Sequence, residues 1–292
     1  MRNALLAAAI VTLGMASTCD AETYVPPPAS ADALKGIYLS GPSVAGDFKK
    51  DFADCDRIPH VVKAVAQSQC FGLRRVDMPD PKNPRKSKHT WVKDASLPSS
   101  DANNNTIVLK LASGAVLFDA KMGIDNDGSP FAGKWPSNLK TSLFYSDGKT
   151  SINADQIRYI AVPSGFDDAT GFELGDVAAV IYNGKVEFAV VADHGKSFRI
   201  GEGSVALHDA LGHQGCQMRA ADGNCKTPGS ESILGGVTFI VFPDTKENLC
   251  KGFPPATSPT RLCPGMTPNM LNQRITDVGQ AAFNGLKSAD GR

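Results

Sequence analysis

Apolar positions in this chain fall into short runs separated by turn residues, with few long helical stripes. From Thr106 onward the runs are β-rich. Thr106–Leu111 and Ala115–Phe118 read as strands, Ile157–Val162 precedes Pro163, and Val237–Phe242 is a further strand. Asp176–Tyr182 and Lys185–Ala192 flank Asn183-Gly184. Both central positions of a two-residue hairpin turn need positive φ, which Asn-Gly supplies, so this pair is the strongest local signal in the chain. A short helix follows: Ser204 can cap it, Val205, Leu207, His208 and Leu211 give it an inward face, and Gly212 can end it. After Thr267-Pro268, the positions Leu271, Ile275, Val278, Ala282 and Leu286 repeat at helical spacing and predict a longer C-terminal helix. Many short strands with few helices predict a mainly β fold, a closed or nearly closed barrel.

Upstream the pattern is different. Pro26-Pro27-Pro28 marks residues 22–32 as a tether. Val61, Val62, Ala64 and Val65 suggest a short helix behind Pro59. Residues 77–105, rich in Pro, Lys, Ser and Asn, read as an exposed loop. The N-terminus has the layout of a secretory signal peptide: Arg2, an uncharged apolar run from Ala4 to Ala16, then small and polar residues ending at Cys19-Asp20-Ala21. The run falls short of the roughly 20 apolar residues a membrane span needs. The expected organisation is therefore a signal peptide over 1–21, an N-terminal extension over 22–105, and a barrel domain with its C-terminal helix over 106–292. The expected destination is outside the cell or in the periplasm, with no membrane attachment after cleavage.

Cleavage after Ala21 leaves Cys55, Cys70, Cys216, Cys225, Cys250 and Cys263. An even count in an exported chain reads as a disulfide set. Their three close pairs along the chain suggest Cys55–Cys70, Cys216–Cys225 and Cys250–Cys263, although other pairings are open to six cysteines.

A formal net charge of zero argues against nucleic acid as a partner. Residues 22–110 hold 13 Lys/Arg and 10 Asp/Glu, whereas residues 111–204 hold 8 and 12, so the centre is mildly acidic and suits a cationic ligand. Several motif fragments fail. Gly195-Lys196-Ser197 lacks the earlier glycine of a phosphate loop, because Val190 stands there. His208 and His213 are too far apart to share a helix face as a zinc pair, and Asp125-Asn126-Asp127-Gly128 has no closing glutamate of a calcium loop. No Gly-x-Ser-x-Gly elbow occurs. No metal and no cofactor is expected.

Residues 175–212 read GDVAAVIYNGKVEFAVVADHGKSFRIGEGSVALHDALG. In this reading a hairpin ends at Asp193, a polar turn follows, Phe198–Ile200 continues the sheet, and Glu202 lies between two glycines at the start of the short helix. Gly201 and Gly203 would leave room for a substrate beside Glu202. Paired carboxylates are what glycosidic cleavage requires, one protonated and one ionised. By spacing alone the commoner reading is structural, with Asp193 accepting turn hydrogen bonds and Glu202 capping the helix.

The stretch is similar to the core motif of glycoside hydrolase family 75 chitosanases, which pair a GD-x-AAV-x-x-x-GK region with a Gly-Asp-Thr-Gly-Pro-like turn and a Gly-Glu-Ala-Ser segment. Met122–Gly128 resembles the family's Asp-Ile-Asp-Cys-Asp-Gly stretch, and Gly235–Phe242 its last core strand. The turn here is Ala-Asp-His-Gly-Lys, Gly203 follows Glu202, and Asn126 replaces a cysteine. The resemblance spans about residues 115–245. It implies a secreted, monomeric endo-acting chitosanase with Asp193 and Glu202 as catalytic carboxylates. Likeness to barrel-based polysaccharide hydrolases narrows the fold to a six-stranded double-psi-like β-barrel with a few peripheral helices. Glu202 between its glycines is the expected acid, and Asp193 in a polar turn the expected base. Chitosan carries ammonium groups, so Asp119, Asp125, Asp127 and Asp176 are candidate substrate-binding carboxylates, and Trp135, Tyr145 and Tyr159 candidate stacking surfaces. A hydrolase of peptidoglycan or β-glucan, or a non-catalytic polysaccharide-binding barrel, are the competing expectations.

Overall fold

The computed structural model describes residues 21–44, 73–80, 83–93, 107–131, 139–195, 200–229 and 232–289, with backbone alone for 73–80, 83–93 and 288–289. The signal-peptide segment, the expected helix over 57–70, Cys55, Cys70 and Trp135 lie outside the described residues.

The chain is mainly β. The first strands, β1 (Ala21–Thr23) and β2 (Ser40–Pro42), pair antiparallel. Between them the expected tether is anchored instead: Tyr24, Ser30 and Leu34 are buried, and the Tyr24 hydroxyl meets the Thr238 hydroxyl at 2.7 Å. Proline spacing suggested a free linker, but the apolar set Tyr24, Leu34, Ile37 and Leu39 belongs to the main core. The segment read as an exposed loop contains a hairpin, β3 (Leu73–Asp80) with β4 (Asn83–Lys93). Its prolines cluster near the turn end, and the alternation along Lys88–Val92 is compatible with a strand.

The remaining strands are β5 (Val108–Lys110), β6 (Val116–Asp125), β7 (Tyr159–Pro163), β8 (Val177–Tyr182), β9 (Lys185–Gly195), β10 (Glu202–Ser204), β11 (Cys216–Arg219), β12 (Cys225–Pro228) and β13 (Ile233–Phe242). Six of them close a barrel in the order β10-β7-β9-β8-β13-β6, with β6 returning to β10, and β5 adds to the outer edge of β6. The β6–β10 and β7–β9 pairs are parallel and the others antiparallel. The β8–β9 turn forms as expected, with Asn183 at φ 49° and Gly184 at φ 77°. The central strands are buried on both faces: Val177–Ile181, Ala189–Ala192 and Val237–Val241 are all buried and, Thr238 excepted, apolar, with alternate residues facing the barrel interior and the elements packed outside it. Phe118 and Phe239 stack with ring centroids 4.8 Å apart.

Among the described residues four α-helices sit outside the barrel: α1 (Phe166–Thr170), α2 (Val205–Ala210), α3 (Lys246–Leu249) and α4 (Pro268–Ala289). Helix α4 buries Leu271, Ile275 and Leu286 of the expected stripe and half-buries Val278 and Ala282; Phe283, outside that stripe, is also buried and meets Phe188 of β9 edge-on. Among the described residues no helix is long and apolar enough to cross a membrane. Two of the expected disulfides form, Cys216–Cys225 across β11–β12 and Cys250–Cys263, with Cα atoms 5.7 and 5.6 Å apart.

Ser204 is the expected cap of α2, and it does more. Its buried hydroxyl oxygen accepts from Leu207 N at 3.2 Å and from Tyr159 N at 3.0 Å, tying α2 and β7 to the end of β10. Removing it leaves two buried N–H groups short of a partner. Ser204→Ala should lower unfolding stability by about 1–3 kcal/mol in urea titration, compared with less than about 0.5 kcal/mol for a solvent-facing serine.

Candidate functional site

The site forms where β6, β10, β7 and β9 meet. Gly123, Glu202, Ala161 and Asp193 lie in one row across these four strands. Asp193 and Glu202 are therefore separated by a single strand, β7. Two inter-strand spacings put their Cα atoms about 10 Å apart. The Glu202 carboxylate leans back over β7: a Cβ placed on Gly195 would lie 2.8 Å from its Oε2. Gly195 follows Asp193 by two residues on the same face of β9, about 7 Å along the strand. Glycine at 195 thus makes the space in which the Glu202 carboxylate rests.

The glycines flanking Glu202 have another purpose than the one expected. Gly201 adopts φ +81°, and a Cβ there would fall 2.0 Å from the Lys121 carbonyl oxygen. A Cβ on Gly203 would strike Met122 and Leu207. Both permit the close approach of β10 to β6 and α2 rather than of a substrate. Glu202 itself belongs to a strand, not to a helix start, because the short β10 can pair on both sides at once.

Asp193 is not in a polar turn. It is 5% exposed, within β9. Its Oδ1 accepts hydrogen bonds from the Ser142 backbone N at 2.8 Å and from the Ser142 hydroxyl at 2.7 Å. Ser142 Oγ also accepts from His194 N at 3.1 Å. Burial raises the Asp193 pKa against the opposing effect of these donors.

Asp125 and Asp127 join the pair from the end of β6 and the turn after it. A cleft of about 410 Å³ is lined by Ile124, Asp125, Asn126, Asp127, Leu139, Asp193, His194, Gly195 and Glu202. Burial, and then the negative charge of Glu202, hold the Asp125 pKa well above the ordinary carboxylate range. Burial raises Asp127 to about 7, with the charges of Asp193 and Glu202 adding to it and a side-chain hydrogen bond to Asp193 favouring the protonated form. Asp125, Asp127 and Asp193 each bring an oxygen within 4.8 Å of the others. Such an oxygen-only set suits a hard cation, whether a divalent metal or an ammonium group. At the rim, His194 Nε2 pairs with Asp167 Oδ2 of α1 at 2.8 Å, and this bond raises the imidazole pKa.

Among the described residues, the other sequence-derived candidates do not line this cleft. Asp119 lies six residues upstream of Asp125, about 20 Å of strand away, and accepts from Ile107 N at 2.9 Å. Asp176 is fully buried and accepts from the backbone N–H of Glu173, Thr245 and Lys246, capping the start of α3. Tyr145 packs against the core, its hydroxyl pushed up to about 12 by burial. Tyr159 is wholly buried, donating to the Asp127 carbonyl at 3.1 Å, so it supports the site from below instead of stacking on a ligand. The sequence reading missed Leu139 and Ser142, which lie more than fifty residues from Asp193 and share no motif with it, and gave His194 no role.

No model of a known protein family matches the chain, and no curated protein matches it in sequence.

The cluster has a cost that pH exposes. Asp127, at about 7 in the folded protein against 3.8 ordinarily, binds its proton more tightly when folded. Its contribution to stability is full below about pH 3.8 and is lost as the pH rises through about 7. Asp127→Asn removes that loss. Thermal unfolding followed across pH 4–8 should show the variant gaining melting temperature relative to wild type as pH rises, with the difference smallest at the acid end.

Proposed function

We propose that the chain is an exported glycoside hydrolase that cleaves β-1,4 linkages of chitosan by single displacement at the anomeric carbon. The observation that carries this is the convergence of Asp193 and Glu202 on one cleft with a single strand between them. Inversion requires carboxyl groups about 6.5–9.5 Å apart, which leaves room for the attacking water, whereas a covalent mechanism brings them to roughly 5 Å. The cleft supplies carboxylates for ammonium groups, and the histidine on its rim is already paired with Asp167. The resemblance to family 75 chitosanases points the same way, as do the two disulfides, which suit an oxidising compartment.

The surroundings of the two carboxyls favour the alternative assignment of roles, with Asp193 as the acid and Glu202 as the base. Asp193 is the group removed from water; burial raises its pKa and Oδ1 is committed to Ser142, so Oδ2 is the oxygen that would carry a proton. Asp193 gives that proton to the glycosidic oxygen as the C1–O bond breaks. Glu202, half-buried, takes a proton from the water that attacks C1 from the opposite face. The two carboxyls then exchange their proton through solvent.

Release of reducing ends from chitosan, run beside cellulose and peptidoglycan, tests the substrate class, and the anomer first released, read by proton NMR, tests inversion. Asp193→Asn and Glu202→Gln should each lower turnover by about three orders of magnitude or more while the far-UV circular dichroism is unchanged. Near-normal hydrolysis by either variant would overturn the assignment. Preference for cellulose or peptidoglycan would move the substrate.

A further inference from the structure

The cleft has an apolar wall that a purely cationic substrate does not use. Leu139 is 52% exposed, one of the few large apolar side chains at the surface of the described chain, and with Ile124 it faces the carboxylates. It is not a loose side chain on a free loop. The Gly128 N–H donates to the Leu139 carbonyl at 3.0 Å, fixing it against the turn that carries Asp127. Three residues later, Ser142 N–H and hydroxyl bind Asp193 Oδ1. Between them, Thr141 N donates to Ser151 Oγ at 2.8 Å, and the Thr141 hydroxyl donates to the Leu143 carbonyl at 2.8 Å. The segment 139–143 is thus pinned at one end to the Asp125–Asp127 turn and at the other to Asp193.

An aliphatic side chain on an anchored backbone in an open acidic cleft leaves apolar surface exposed that a ligand's apolar group would cover. Leucine and isoleucine offer no flat aromatic face for a sugar ring. Their branched surface fits a small apolar group such as a methyl. Asp125 and Asp127, close together, supply carboxyl groups that a neighbouring cationic group would draw into the ionised form.

We propose that Leu139, with Ile124, determines specificity by receiving the acetamido methyl of an N-acetylated sugar unit beside the carboxylates that hold a deacetylated one. The preferred polymer is then partly acetylated chitosan, not its fully deacetylated form. This rests on the hydrolase reading above.

The test compares wild type, Leu139→Ala and Leu139→Met on half-acetylated and fully deacetylated chitosan. Leu139→Ala should lower kcat/KM on the half-acetylated polymer by about fourfold, the worth of one methyl group taken out of water, through KM. Its loss on the deacetylated polymer should be distinctly smaller, and Leu139→Met should retain the wild-type preference. An equal loss on both polymers, or no change on either, would overturn the proposal. If wild-type protein hydrolyses neither polymer, the hydrolase reading fails and calorimetry decides the wall by itself. N-acetylglucosamine oligomers should then bind wild type more tightly than glucosamine oligomers, with the difference lost in Leu139→Ala. Equal binding of the two oligomers by wild type would reject the wall as well.

Discussion

Three residues close the barrel. Glu202–Ser204 pair parallel with the end of β6 on one side and antiparallel with β7 on the other. So short a strand contributes few hydrogen bonds, and its position depends on close approach: Gly201 against the Lys121 backbone, Gly203 against Met122, and the Ser204 hydroxyl holding both Tyr159 N and the first turn of α2. Everything the site does follows from that closure. It sets Glu202 in the same row as Asp193, one strand away, and presents the row to the turn bearing Asp125 and Asp127.

The arrangement stores electrostatic cost. Four carboxyl groups converge where water is partly excluded, and three of them bind protons more tightly than they would in water. Like charges in a low-dielectric site disfavour simultaneous ionisation, which keeps protons available close to neutral pH. The surrounding barrel tolerates this because its interior is continuous apolar packing, and because Ser142 and Tyr159 bind side-chain or backbone atoms of the acidic residues directly. The same groups that would handle a proton would also attract a cationic polymer, so charge serves chemistry and recognition at once.

Several local features follow from residues alone, because their causes are local. The Asn183-Gly184 turn needs two positive φ values, Ser204 is an able helix cap, and the stripe from Leu271 to Leu286 can bury only one face. The cysteine pairs 216–225 and 250–263 are close enough along the chain to meet through short loops. Asp193, Glu202, Asp125 and Asp127 were not singled out by spacing, which favoured structural roles for the first two, but by the resemblance to chitosanases and the cationic substrate it implies. Proline counting misled at Tyr24 and along Leu73–Lys93, where apolar anchoring and strand alternation prevailed over local stiffness.

What the amino-acid sequence determines here is therefore the β character, the turns, the caps, the helix faces and the carboxylates that can meet. The tertiary structure decides which of them do. Closing a barrel brings strand rows together from positions far apart along the chain, and no local pattern encodes that alignment. It places Ser142 on Asp193, Leu139 opposite Asp127 and Gly195 beneath Glu202, while sending Asp119 along the strand and Asp176 into a helix cap. It also decides which carboxyl leaves water. Asp193 looked solvated beside a polar turn, yet pairing with β7 and the packing of Ser142 against its carboxylate bury it, because ionisation depends on surroundings assembled in space and not on neighbours in sequence.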